Sequence, residues 1–177
     1  MSLAIALLTI SDTRTLAEDL SGDRLESAVL AAGHHLHERT LCPDDRYLIR
    51  AELSRWIADP MVDVVITNGG TGLTGRDGTP EAISPLLDKS IEGFGELFRV
   101  LSFESIGTSA LQSRCLAGVA NGTFVFVLPG SLDAVTTAWE RLIKSQLDAE
   151  TRPCNLYQLR SRLKEANHQT VRTESAL

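Results

Sequence analysis

What this sequence has little of narrows it first. Aromatic residues make up 5% of the chain, and its three cysteines, Cys42, Cys115 and Cys154, are odd in number, widely spaced and without a C-x-x-C pair. They read as reduced thiols, not as a disulfide framework, which leads us to expect a cytoplasmic protein. Basic residues are outnumbered, with 17 Lys and Arg against 23 Asp and Glu, a formal net charge of −6. That sign argues against broad binding to nucleic acid or to an anionic membrane, so a bound phosphate would need local arginines and backbone N–H groups. No apolar run approaches the roughly 20 residues of a membrane span. No Lys or Arg precedes the apolar opening at residues 3–10, so a signal peptide is not expected. There is no internal repeat, no low-complexity tract and no dividing linker.

What is there suits one domain. The 177 residues are 43% hydrophobic and 23% charged, ordinary for a globular chain and long enough to bury about 70% of its unfolded surface. The most informative stretch is residues 64–83, VVITNGGTGLTGRDGTPEAI. Val64, Val65 and Ile66 predict a strand buried on both faces. Gly69, Gly70, Gly72, Gly75 and Gly78 let the backbone curl and lie close to a ligand. Thr79 is expected to cap a helix beginning at Pro80, with Glu81 in its positive first turn. Strand, glycine loop and capped helix together make an anion-binding corner. Gly70, Gly72 and Gly75 also spell G-x-G-x-x-G. A dinucleotide loop would open its helix at the third glycine, and a P-loop would need Lys-Ser/Thr where this chain has Arg76-Asp77.

Along the chain we expect a strand over residues 3–11, and then a helix over 21–32 with Leu25, Val29 and Leu30 inward and Gly33 closing it. A strand over 35–41 follows. The next helix is capped by Asp44 or Asp45 and carries Leu48, Ile49, Leu53, Trp56 and Ile57 at helical spacing. After the glycine loop a helix should run from Pro80 to about Lys89, kinked at Pro85. A further helix should follow through Phe103, then a hairpin at Asn121-Gly122, a strand over 123–128 and an amphipathic helix over 132–147. A short basic helix (Arg160, Arg162, Lys164) and a loose polar tail from His168 complete the pattern. This alternation implies an α/β three-layer sandwich with a mostly parallel central sheet, residues 1–157 forming the domain and 158–177 a partly flexible extension.

Asp12, Asp44, Asp77 and Gly130-Ser131 each follow a strand, on the rim where open α/β sheets bind ligands. Carboxylates from separate elements beside an anion site suggest metal-assisted phosphate chemistry, with Mg²⁺ suited to the hard oxygens. Blander readings stand beside this one. Asp77 followed by glycine is also turn chemistry, and Asp44 an ordinary helix cap. His35 and His37 share a strand face but lack a third ligand, and Cys42 has no base beside it.

Several runs resemble the molybdopterin-binding proteins of molybdenum-cofactor synthesis. They are Thr67-Asn-Gly-Gly-Thr-Gly with Arg76-Asp77 and Thr79-Pro80-Glu81, Glu92-Gly-Phe-Gly-Glu96, Ser113-Arg114, Leu128-Pro-Gly130, Ile10-Ser11-Asp12 and Pro43-Asp44. The runs at residues 99–109, 118–121 and 151–155 resemble the B-type branch of that family, and the likeness covers about residues 3–157. It implies a molybdopterin-binding domain fold, trimers paired into a hexamer in the B type, and molybdopterin and a nucleotide as ligands. Other molybdenum-cofactor enzymes are then possible partners. The adenylyltransferase members join the terminal phosphate of molybdopterin to the AMP of ATP, releasing pyrophosphate. By that resemblance Asp77 and Asp44 are the catalytic carboxylates and hold Mg²⁺ with ATP or GTP. The substrate-binding set would be Ser11, Asp12, Thr67, Gly69, Gly70, Thr71, Gly72, Arg76, Thr79, Pro80, Glu81, Gly93, Ser113, Arg114, Pro129, Gly130 and Ser131. Two departures stand out: Gly130 is followed by Ser131-Leu132 where the adenylyltransferases have Gln/Asn-Pro, and Asp77 by Gly78 where they have Val. The alternative is a protein that binds molybdopterin or a nucleotide (GTP or ATP) without turnover. A dinucleotide-dependent oxidoreductase is a third, weaker reading.

Overall fold

The computed structural model describes residues 2–163. Six strands form one sheet in the order β2-β1-β3-β6-β5-β4. β1 (Ala4–Ile10), β2 (His35–Cys42), β3 (Val64–Asn68) and β6 (Thr123–Leu128) run parallel, while β5 (Leu116–Ala120) is antiparallel to both β6 and the two-residue β4 (Lys89–Ser90). β1, β3 and β6 are apolar nearly throughout because helices cover both faces. One face packs on α1 (Leu20–Ala31), α4 (Glu92–Ile106) and α5 (Leu132–Ala138) through Leu25, Val29, Phe98 and Val135, with Trp139 just after α5. The other packs on α2 (Arg46–Ala58) and α3 (Thr79–Ile83) through Ile49, Leu53, Trp56 and Ile83. This is the expected three-layer α/β sandwich.

Helix ends follow their local chemistry. Gly33, at φ +78°, closes α1: its N–H bonds to Leu30 O and that of His34 to Val29 O, the paired bonds of a Schellman motif. Asp45, not Asp44, caps α2, accepting from the N–H groups of Tyr47 and Leu48. The turn at Asn121-Gly122 has positive φ at both residues, as a two-residue hairpin demands.

Four expectations need correction. Leu30 and Leu48 are about half exposed, at the solvent edge of their helices. Thr79 is not a cap but the first helical residue, with Gly78 ahead of it. The helix foreseen to Lys89 stops at Ile83. Pro85 lacks an N–H and crowds the preceding turn, so a 3₁₀ turn (Ser84–Leu86) intervenes. The chain then extends as β4, where Asp88 and Ile91 donate to Val119 and Ala117. The helix over 132–147 is interrupted by a π turn (Trp139–Ile143) before α6 (Lys144–Leu147). Beyond it lie α7 (Leu156–Leu159) and a 3₁₀ turn at Arg160–Arg162. Lys164 and the tail from His168 lie outside the described residues. Among the described residues no helix is long and apolar enough to cross a membrane.

Candidate functional site

The carboxyl ends of β1, β2, β3 and β6 bring four loops to one rim. β3 leads directly into Gly69 and Gly70, at φ +104° and +61°. A Cβ on Gly69 would collide with the Ile10 carbonyl, and one on Gly70 with Thr79 Oγ1 and the Asp44 carboxylate. The loop can therefore lie against β1 and Asp44 only because these residues are glycines. Gly130, after β6, packs on Gly69 from the other side.

The carboxylates do different work. Asp12 is gripped by Arg76, Nε to Oδ2 at 3.0 Å and Nη2 to Oδ1 at 2.7 Å, and it accepts the Asp44 N–H at 3.0 Å. Those bonds, Arg76 first, hold its carboxyl below the usual range. Asp44 accepts the Gly78 N–H on Oδ1 at 3.2 Å. Burial lifts its pKa, and the charges of Asp77 and Asp12 add to the lift. Asp77 reaches back to Thr74, accepting its hydroxyl at 2.5 Å and its N–H at 2.8 Å on Oδ2, and the Thr74 hydroxyl bond above all lowers its pKa. The turn closed by Asp77 thus lies upstream, around Thr74. Two neighbouring carboxylates thus have their pKa values moved in opposite directions, one by burial and one by the Thr74 hydroxyl.

Behind this edge, between the glycine loop, α4 and α5, lies a cavity of about 330 Å³. Thr71, Gly72, Ser113, Pro129 and Ser131 line it, together with Ser102, Ser105 and Phe98 of α4, which the sequence reading did not single out. Ser131 also caps α5 through the Ala134 N–H, and Ser11 closes the turn at Thr13 and Arg14. Thr67 and Thr79 are fully buried, and neither hydroxyl has a hydrogen-bond partner among the described residues. Pro80, second in α3, and Glu81, third, stand next to Thr79. Gly93 lies elsewhere, at the start of α4 in a cavity with Phe126 and Leu142.

Two residues at this rim carried no sequence signal. Arg14 bonds Ser21 Oγ and the Gly130 carbonyl, tying two loops together. Asp19, fully buried, caps α1 and anchors a polar cluster under the rim. The His35–His37 face gains no third ligand: His37 lies 3.5 Å from Asp59, and among the described residues no group of three His, Cys, Asp or Glu could hold a metal ion. Burial, with Glu52, Asp44 and Asp45 adding to it, pushes the Cys42 thiol up to about 12, which leaves no thiolate for nucleophilic work.

Comparison with known proteins gives four consistent results. The family described as "Probable molybdopterin binding domain" matches residues 6–149. Molybdenum cofactor biosynthesis protein B of Escherichia coli (strain K12) is 54% identical over 153 residues, covering 86% of this chain and 90% of the relative. A crystal structure of molybdenum cofactor biosynthesis protein B superposes with a TM-score of 0.81 at 44% identity, over 83% of this chain and 92% of the other. The tungsten cofactor synthesizing protein MoaB from Pyrococcus furiosus superposes with a TM-score of 0.72 at 36% identity, over 80% and 90%.

Proposed function

The chain belongs to the molybdopterin-binding domain family, among the molybdenum cofactor biosynthesis B proteins, and from that premise we propose that it serves molybdenum cofactor synthesis by binding molybdopterin and adenylylating it with ATP. One observation carries the catalytic half of this reading: the carboxylates of Asp44 and Asp77, from two different loops, lie against the glycine loop at Gly70 and Gly72. The cavity behind the loop, with hydroxyls over an apolar floor, suits a heteroaromatic ring that needs both stacking and hydrogen bonds.

In this reading the loop's N–H groups bind the terminal phosphate of molybdopterin. Asp44, whose Oδ2 lies against Gly70, takes any proton that phosphate still carries. A phosphate oxygen attacks the α-phosphorus of ATP, the bond to the β-phosphate oxygen breaks, and pyrophosphate leaves. Arg76 faces the accumulating negative charge. Asp44 meets the loop through the Gly78 N–H on Oδ1, and Asp77 through Thr74 on Oδ2. Two carboxylates with nucleotide phosphates and water fit Mg²⁺, which rarely has an all-protein cage. When bound, the ion would neutralise charge on the phosphates. The protein's contribution is positioning and electrostatics, with no covalent enzyme intermediate.

The test is pyrophosphate release by the purified protein given molybdopterin, Mg²⁺ and either ATP or GTP. Release should require the pterin, and Asp77→Asn should abolish it while pterin binding survives. Product formed by that variant at the parent rate would refute the mechanism. A second reading, a carrier that binds pterin or nucleotide without turnover, is favoured by Ser131, whose hydroxyl is engaged in capping α5 where the adenylyltransferases have Gln/Asn-Pro. It predicts stoichiometric binding and no pyrophosphate with either nucleotide.

We extend the proposal to assembly. Leu97, Val100 and Phe103 of α4, with Leu111 after it, form an exposed apolar stripe, and Val100, Phe103 and Leu111 line a shallow groove edged by Glu96 and Arg99. A face of that kind is expected where copies of the chain meet, as in a homotrimer or homohexamer.

A further inference from the structure

We infer that Arg114 is a positioning residue that aims the backbone of the glycine loop and, through it, both rim carboxylates. Its guanidinium is committed inside the protein. Nε donates to the Thr71 carbonyl at 3.1 Å, and Nη2 to the carbonyls of Gly72 at 2.6 Å and Asp77 at 3.3 Å. Nη1 pairs with the Glu81 carboxylate. Only one of the five N–H donors of an arginine is left, too few to clamp a phosphate with two parallel bonds.

The consequence follows from the planar trans peptide. A carbonyl and the N–H of the next residue point in opposite directions. Drawing three carbonyls onto one guanidinium therefore turns the N–H groups of Gly72, Leu73 and Gly78 away from it, toward the rim. Two of these have visible roles. The Gly78 N–H bonds Asp44 Oδ1, and the Gly72 N–H faces the Asp77 carboxylate. The third, Leu73, stands on the exposed crest of the loop. One side chain arriving just ahead of β5 thus sets amides that orient carboxylates from two different loops. Glu81 is the counter-ion that keeps the guanidinium in place, and Arg50 bonds the Glu81 and Ala82 carbonyls from α2.

What the amides serve rests on the ligand reading above; the clamp itself does not. The experiment separates the two. In the ligand-free chain, amide hydrogen exchange by NMR compares the parent with Arg114→Lys and Arg114→Ala. Exchange at Gly78 should rise by about tenfold or more in both, with β3 amides unchanged. Lysine keeps the charge but cannot reach three carbonyls. Mg²⁺–ATP titrated into the same proteins should bind about ten- to a hundredfold more weakly in the variants. Added guanidinium ion should restore Arg114→Ala, and methylammonium should not. Unchanged Gly78 exchange in Arg114→Ala, or full restoration by lysine or methylammonium, would overturn the inference. Faster Gly78 exchange in a chain whose parent binds no nucleotide would support the clamp and refute the ligand reading.

Discussion

At the scale of single residues, Asp19 is fully buried, yet its carboxyl lies below the usual range. Burial opposes ionisation, but Thr9 Oγ1 at 2.6 Å, Gly22 N at 3.0 Å, Arg39 Nη2 at 3.0 Å and Ser21 Oγ at 3.1 Å outweigh it. Asn68, the last residue of β3, joins through its own donation to Ser21, so the cluster ties α1 to the strand that launches the glycine loop. Gly22 is fixed by the same packing, since a Cβ there would strike the carboxylate. Asp19→Ala should cost about 3 kcal/mol, because it strands the mostly buried Arg39 among fewer partners. The folded pKa is depressed, so this stabilisation is present above the unfolded value and is lost as pH falls through the folded one. Urea unfolding of parent and variant should show the gap closing toward acid pH, and a pH-independent gap would count against the account. None of this was legible in the sequence, where Asp19 sits among ordinary polar loop residues.

At the scale of elements, local rules worked where the chain supplies its own stop signal. Gly33, Asp45 and Asn121-Gly122 end or begin their elements as composition implies. They failed where partners decide. The two-residue β4 has no strand pattern and exists because the β5 edge offers the Val119 and Ala117 carbonyls. Thr79 reads as a cap, yet packing against Gly70 buries its hydroxyl. The hairpin is the element to test. Gly122 stands at φ +82°, and Asn121 before it bonds the Ile57 carbonyl at the end of α2 and, through its N–H, Asp88 ahead of β4. Gly122→Val should destabilise by about 1–2 kcal/mol, the cost of forcing a branched residue into the left-handed region. Gly75→Ala has open space around it and should stay within about 0.5 kcal/mol of the parent. Chemical denaturation measures both, and equal losses would show that loop strain, not this turn, dominates.

At the scale of the whole molecule, the exposed stripe on α4 makes a prediction about assembly. Leu111 is 82% exposed, and Phe103 and Val100 are more than half exposed, although the same helix buries Phe94 and Phe98 on its inner side. Burying such a stripe between copies is worth on the order of 25 cal/mol per Å² of apolar area. Light scattering should find the parent as a trimer or hexamer and Phe103→Glu at lower mass with unchanged circular dichroism. A parent that is monomeric at working concentration would remove the basis for the expectation.

The sequence by itself determined the layers and the rim. Strand and helix periods imposed an α/β sandwich, and chain order put Asp12, Asp44, the glycine loop and Gly130 after the four parallel strands, at one end of the sheet. Period and order are properties of the chain read locally, so they survive without coordinates. Tertiary structure decided which polar group serves which. Arg76 went to Asp12, Arg114 to the loop's own carbonyls, Asp77 to Thr74, and Asp19 to a buried cluster. Hydrogen bonds are short and directional, so their partners are chosen by positions set to within an ångström, and those positions come from packing between residues up to 116 apart in the chain.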